Sequence, residues 1–219
     1  MAPADNWTIT FTGVEEGLSY VEVDGVRIYD VRHLVSHNGY PMNEYDKIGY
    51  AIHHDAVVMT GTTIAEELAR IQTIDRYHRE VNGWPGIGYH RMIAPSGRVY
   101  ILSGSGYQRA HVENDNHRWI GYCFMGSWTA KRPPEVAMNA LKVALQWETN
   151  QRKITMLVAP HKRLTAGTEC PGAWAMMSSW ETIVLLPAPI VPSSNVEYER
   201  GYRDGTAAFR KRLTDWLAT

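Results

Sequence analysis

Apolar and polar residues alternate through Tyr20-Val21-Glu22-Val23 and again through Val26-Arg27-Ile28-Tyr29, with Asp24-Gly25 between the two runs. Alternation is the period of a half-buried strand, and Asp-Gly suits the positive-φ positions of a tight turn, so the pattern predicts a β-hairpin. Ile48-Gly49-Tyr50-Ala51-Ile52 reads as a buried strand whose end delivers His53-His54-Asp55. Thr63 with Glu66 forms a capping box, and Ile64, Leu68, Ile71, Ile74, His78 and Val81 recur at helical spacing, predicting a helix that ends near Gly83.

Tyr89 to Ile93 and Val99 to Leu102 flank Pro95-Ser96-Gly97 as a second hairpin, and Ile120 to Met125 is another short apolar strand. Pro134 opens a helical pattern through Ala137, Leu141, Ala144, Leu145 and Trp147. Ile154 to Val158 then reads as a strand leading into Pro160-His161, and a final helix is expected from near Pro171-Gly172. Hairpins mixed with alternating strands and helices predict an α/β fold, a mixed central β-sheet flanked by helices in a single domain.

The organisation expected is an N-terminal hairpin extension packed on the domain at residues 1–45 and a main domain at 46–186. A Pro- and Ser-containing linker follows at 187–196, then a helical tail at 197–219 whose aromatic residues alternate with basic ones. The 219 residues suffice for one sizeable core. Lysine and arginine number 22 against 23 acidic residues, which gives no general reason to expect nucleic acid as a partner. No run of about 18 apolar residues occurs, so no transmembrane helix is expected. The first residues, Met1-Ala2-Pro3-Ala4-Asp5-Asn6, have no secretory pattern, so the expectation is synthesis in the cytoplasm with release by other means. The two cysteines, Cys123 and Cys170, make no disulfide framework, and composition leaves the oligomeric state open.

Candidate chemistry gathers at strand ends. His53, His161 and Cys170 are imidazole and thiolate donors of the kinds zinc prefers, and three protein ligands leave a fourth position for a water activated as nucleophile. With nine histidines in the chain, spacing alone leaves other donor sets open. His54 points to the opposite face if the strand is regular. Cys123 reads as a core thiol, His78 as a core residue, and His33, His37 and His117 as surface groups.

Several segments carry a resemblance: Ala51-Ile52-His53-His54-Asp55-Ala56, Gly88-Tyr89-His90, Arg109-Ala110-His111, Asn116 ahead of Ile120-Gly121, and His161 with Thr168-Glu169-Cys170-Pro171-Gly172. In type and order they resemble the type 2 N-acetylmuramoyl-L-alanine amidase family, which includes phage amidase endolysins and peptidoglycan recognition proteins; the resemblance spans roughly residues 30–186.

The resemblance implies a peptidoglycan recognition protein/amidase-like fold and a zinc amidase domain acting on bacterial peptidoglycan at the lactyl–L-alanine amide bond. It implies His53, His161 and Cys170 as zinc ligands, Tyr89 and Thr168 as catalytic groups, and His90, His111 and Asn116 as substrate-binding groups in the groove. A phage endolysin, made in the host cytoplasm and acting on the wall after release, is the role expected. A non-catalytic peptidoglycan receptor and an intracellular wall-recycling amidase are the alternatives. The chain departs from the family pattern at Asp55, Trp119 and Lys162, and in a longer interval between His161 and Cys170.

Overall fold

The computed structural model describes residues 8–36, 47–176 and 183–185. The linker and tail expected over residues 187–219 lie outside the described residues, as does His37.

Three strands come first: β1 (Gly13–Glu15), β2 (Leu18–Val23) and β3 (Val26–Asp30). β2 and β3 are the predicted hairpin, with Val23 opposite Val26 and both turn residues at positive φ, Asp24 at 47° and Gly25 at 76°. β4 (Gly49–His54) is buried along its whole length and ends in the two histidines. Helix α1 (Ile64–Glu80) starts at the capping box: the Thr63 side chain accepts from the Glu66 backbone N–H, and the Glu66 carboxylate accepts from the Thr63 N–H.

β5 (Arg91–Ile93) and β6 (Val99–Ile101) form the second hairpin, followed by β7 (Trp119–Phe124), α2 (Glu135–Arg152) and β8 (Met156–Pro160). A single-turn helix, α3 (His161–Leu164), follows β8 directly, and β9 (Ile183–Leu185) completes the described elements. Where a final helix is expected to begin near Pro171-Gly172, the described residues form a 3-10 turn at Ala173–Met176, and residues 177–182 lie outside the described residues. Gly172 at φ 128° precedes the turn, and the Trp174 indole N–H donates to the carbonyls of Trp128 and Pro171.

The described strands form one nine-stranded sheet in the order β1-β2-β3-β6-β5-β7-β4-β8-β9. Its centre is parallel, β5 with β7, β7 with β4 and β4 with β8, and its hairpins are antiparallel, so the mixed sheet expected from sequence is observed. β3 joins β6 in parallel, which makes the N-terminal hairpin part of the same sheet.

Side-chain alternation divides the core. On one face Tyr50, Ile52, Ile120, Tyr122 and Phe124 pack against Met138, Leu141 and Leu145 of α2. On the other, Met92, Tyr100 and Cys123 pack with Ile64, Ile71 and Ile74 of α1. Adjacent residues of one strand therefore face different helices, and His53 and His54 are separated in this way. Among the described residues no helix is long and apolar enough to cross a membrane.

Candidate functional site

The parallel pairing of β4 with β8 aligns Ile52 with Pro160, so His53 and His161 leave the sheet side by side. α3 starts at His161, and the chain returns so that the Lys162 N–H donates to the Cys170 carbonyl at 2.8 Å. This closure brings Cys170 to the end of β4. One donor atom each from His53, His161 and Cys170 lies within 4.8 Å of the others. The His53 and His161 ring centroids are 4.4 Å apart, and His53 Nδ1 is 3.9 Å from Cys170 Sγ.

Burial determines the protonation of this cluster. It holds His53 well below the ordinary imidazole range, helped by His161 and His111, and lowers His161 to about 4. Both rings are therefore neutral at pH 7, with lone pairs to offer. Burial pushes the Cys170 thiol up to about 12, partly offset by the backbone N–H of His54, which donates to Sγ at 3.3 Å. A thiol so buried ionises beside a cation, and two neutral imidazoles with one thiolate are a donor set that suits zinc. The residues fit the metal.

Tyr89 lies over this cluster, its ring centroid 5.4 Å from that of His53. Burial, with the Cys123 and Cys170 sulfurs nearby, holds its ionisation well above the usual phenol value, so it keeps its proton as a hydrogen-bond donor. On its other side the Tyr89 ring packs on His78, whose Nδ1 accepts from the Gly88 N–H at 3.0 Å, the core role expected of His78. Gly88 is required at that point, since a Cβ there would lie 2.5 Å from the Ala110 carbonyl oxygen. Thr168 sits on the loop before Cys170 and accepts from the Cys170 N–H through Oγ1 at 3.2 Å, leaving its hydroxyl proton available.

The other residues implied by resemblance are placed differently. His90 is fully buried, and both its ring nitrogens are engaged, Nδ1 by the Gly121 N–H at 2.9 Å and Nε2 by the Tyr107 carbonyl at 2.8 Å. Asn116 Oδ1 accepts from the N–H groups of both His111 and Val112 at 2.7 Å, which shapes the loop beneath them. His111 is buried at 8% exposure, and its Nδ1 lies 3.1 Å from His53 Nε2. His54 turns to the α2 face, where its Nδ1 accepts from the Trp128 N–H. Asp55 fixes the strand end: it accepts from the N–H groups of Val57 and Gly126 and pairs with Arg70 at 2.8 Å. Beside it a cavity of about 290 Å³ is lined by Arg70, Thr73, Tyr77, His78 and Tyr89.

Residues 30–173 match the family model described as N-acetylmuramoyl-L-alanine amidase. The peptidoglycan-recognition protein SC2 of Drosophila melanogaster is 28% identical over 137 residues, which covers 61% of this chain and 74% of that protein. A human PGRP-IβC structure in complex with glycosamyl muramyl pentapeptide shares the fold at TM-score 0.60 and 20% identity, covering 70% of this chain and 95% of that one. The N-acetylmuramoyl-L-alanine amidase LysC from Clostridium intestinale URNW is similar at TM-score 0.52 and 26% identity, covering 66% of this chain and 88% of that one.

Proposed function

The chain belongs to the N-acetylmuramoyl-L-alanine amidase family, and from that premise we propose that it is a zinc-dependent amidase hydrolysing the lactyl–L-alanine amide of bacterial peptidoglycan. The observation that carries this reading is the convergence of His53, His161 and Cys170 donor atoms within 4.8 Å at the end of two parallel strands. Non-catalytic binding requires no such cluster.

When bound, zinc supplies Lewis-acid chemistry, acidifying water and polarising the scissile carbonyl. His53, His161 and Cys170 would hold it, Cys170 as a thiolate that would reduce the net positive charge. In the reaction the oxygen of water bonds to the lactyl carbonyl carbon and the carbon–nitrogen bond breaks. The alanine nitrogen gains a proton and leaves as a free amine. Tyr89, kept protonated by burial, donates to the oxygen on which negative charge develops, and the Thr168 hydroxyl, held two residues before Cys170, is a second donor. Preorganised donors of this kind act most strongly where the charge appears in the transition state.

The test is incubation of purified protein with peptidoglycan sacculi, with chelator and then with added zinc, the released ends being identified by mass spectrometry. Stem peptides with free alanine N-termini, lost on chelation and restored by zinc, are expected. Cleavage that survives chelation would sink the zinc mechanism, and sacculi bound but left intact would favour a receptor, the reading that the likeness to peptidoglycan-recognition protein SC2 keeps in view. Within the amidase reading we assign the chain the role of a phage endolysin. Release from intact cross-linked sacculi supports that role, and activity confined to soluble fragments points to wall recycling.

A further inference from the structure

The geometry points to His111 as a positioning residue that acts through His53, accepting the His53 Nε2 proton and so turning the Nδ1 lone pair toward Cys170 and His161. This inference rests on the proposed zinc site. The contact that carries it is 3.1 Å between His53 Nε2 and His111 Nδ1, with the two rings nearly perpendicular at 87°. An imidazole presents one protonated and one bare nitrogen when neutral, so the hydrogen bond at one nitrogen sets the chemistry of the other. His53 Nδ1 is the atom 3.9 Å from Cys170 Sγ, and Nε2 is the atom on His111. With the proton on His53 Nε2, His111 must accept at Nδ1 and carry its own proton on Nε2.

The surroundings hold His111 in that role. Its backbone N–H is tied to Asn116 Oδ1, and its ring lies against Gly121, where any Cβ would come within 2.9 Å of the ring. Its Nε2 is buried with no hydrogen-bond partner among the described residues. Lys47 braces the same loop, its Nζ donating to the carbonyls of Asn116 at 3.3 Å and Trp119 at 3.2 Å. A ring so enclosed, with 8% exposure, lies edge-on against the metal ligand. Asn116 and Lys47 then serve the site by fixing the loop that carries the acceptor.

Partners of this kind around ligating histidines typically contribute about 10–100-fold in metal affinity. The test compares zinc dissociation constants, by competition with a chromogenic chelator, for wild type, His111→Leu and His111→Asn. Asparagine puts an acceptor oxygen near the position of Nδ1, whereas leucine fills the space and accepts nothing. Weakening of about 10–100-fold in His111→Leu, largely restored in His111→Asn, is expected, with the melting temperature of the zinc-free proteins as a control for folding. Should the leucine variant not fold, long-range ¹H–¹⁵N spectra of zinc-loaded wild type read the tautomer directly, and His53 is expected to be protonated on Nε2. Wild-type affinity in His111→Leu, equal losses in both variants, or a proton on His53 Nδ1 would each overturn the inference while leaving the zinc reading intact. A wild type that binds no zinc would overturn both.

Discussion

Two buried polar clusters flank β5 and β4, and they are built on opposite plans. On the α2 side Arg91 and Glu148 are both fully buried and pair at 3.1 Å. Ser105 and Tyr122 donate to the Glu148 carboxylate at 2.7 Å each, while Arg91 donates to the His90 and Ser103 carbonyls and to Ser105 Oγ. Each charge meets its opposite, and the network is complete within the protein. At the end of β4, His53, His161 and Cys170 are gathered within 4.8 Å of one another, and none of the three brings a charge that answers another: two neutral imidazoles and a thiol. Such a set gains most when a cation joins it, so the second cluster fits a ligand and the first serves the fold.

The largest expected effect breaks the second cluster alone. Cys170→Ser replaces a soft thiolate by a hydroxyl and is expected to lower amidase activity by about 10³-fold or more, because several kcal/mol of Lewis-acid stabilisation depart with the metal. The zinc-free variant should melt close to the zinc-free wild type, and calorimetry with and without chelator checks both halves. A variant that keeps zinc and activity would show that Cys170 is not a ligand.

Breaking the first cluster should have the reverse signature. Glu148→Leu leaves the Arg91 guanidinium buried without its carboxylate, at an expected loss of about 3–5 kcal/mol in unfolding free energy. Replacing both partners, as Arg91→Met with Glu148→Leu, is expected to recover much of that loss, since no unpaired charge remains. Urea unfolding of the single and double variants measures this. A double variant as unstable as the single one would mean that the network acts through shape and not through charge.

Tyr89→Phe sharpens the comparison, since it removes a donor without touching either cluster. Turnover should fall by about 10²–10³-fold while zinc affinity stays at the wild-type value, so the two readouts together separate the tyrosine from the ligands. Equal loss of zinc would assign Tyr89 to holding the site.

Much of this was legible in the chain because it is local. The Asp24-Gly25 turn, the Thr63–Glu66 cap and the alternation that sends His53 and His54 to different faces are properties of a few neighbouring residues, and the structure shows each of them. The meeting of His53 with His161 depends on the pairing of β4 with β8, a non-local fact that resemblance supplied and periodicity could not. His111 adds a contact that resemblance does not specify, the 3.1 Å approach of its Nδ1 to His53 Nε2. A residue type in a matching segment does not say which way the ring turns, and the close approach to Gly121 that fixes it involves a different element. The final helix expected from near Pro171 begins as a 3-10 turn at Ala173, and its continuation lies outside the described residues.

The smallest effect concerns pH and the residue that supports Tyr89 from behind. Burial lowers His78 to about 4, against an ordinary value of 6.5, with Asp75 opposing the shift. An unfolded chain takes up this proton as pH falls below 6.5, whereas the folded protein refuses it until about 4. The unfolded state therefore binds more protons across that window, and stability drops as the solution is acidified through it, with no contribution to the slope above it. One such group contributes at most about 1.4 kcal/mol per pH unit. His78→Asn keeps an acceptor for the Gly88 N–H but has no proton to gain, so the acid limb of its stability curve should be shallower than that of the wild type, measured on zinc-free protein so that metal release does not contribute. His161, lowered by burial in the same way, should preserve part of the slope, so a complete loss is not expected. Identical limbs in the two proteins would mean that His78 is protonated in the folded state, and the neutral ring beneath Tyr89 would have to be abandoned.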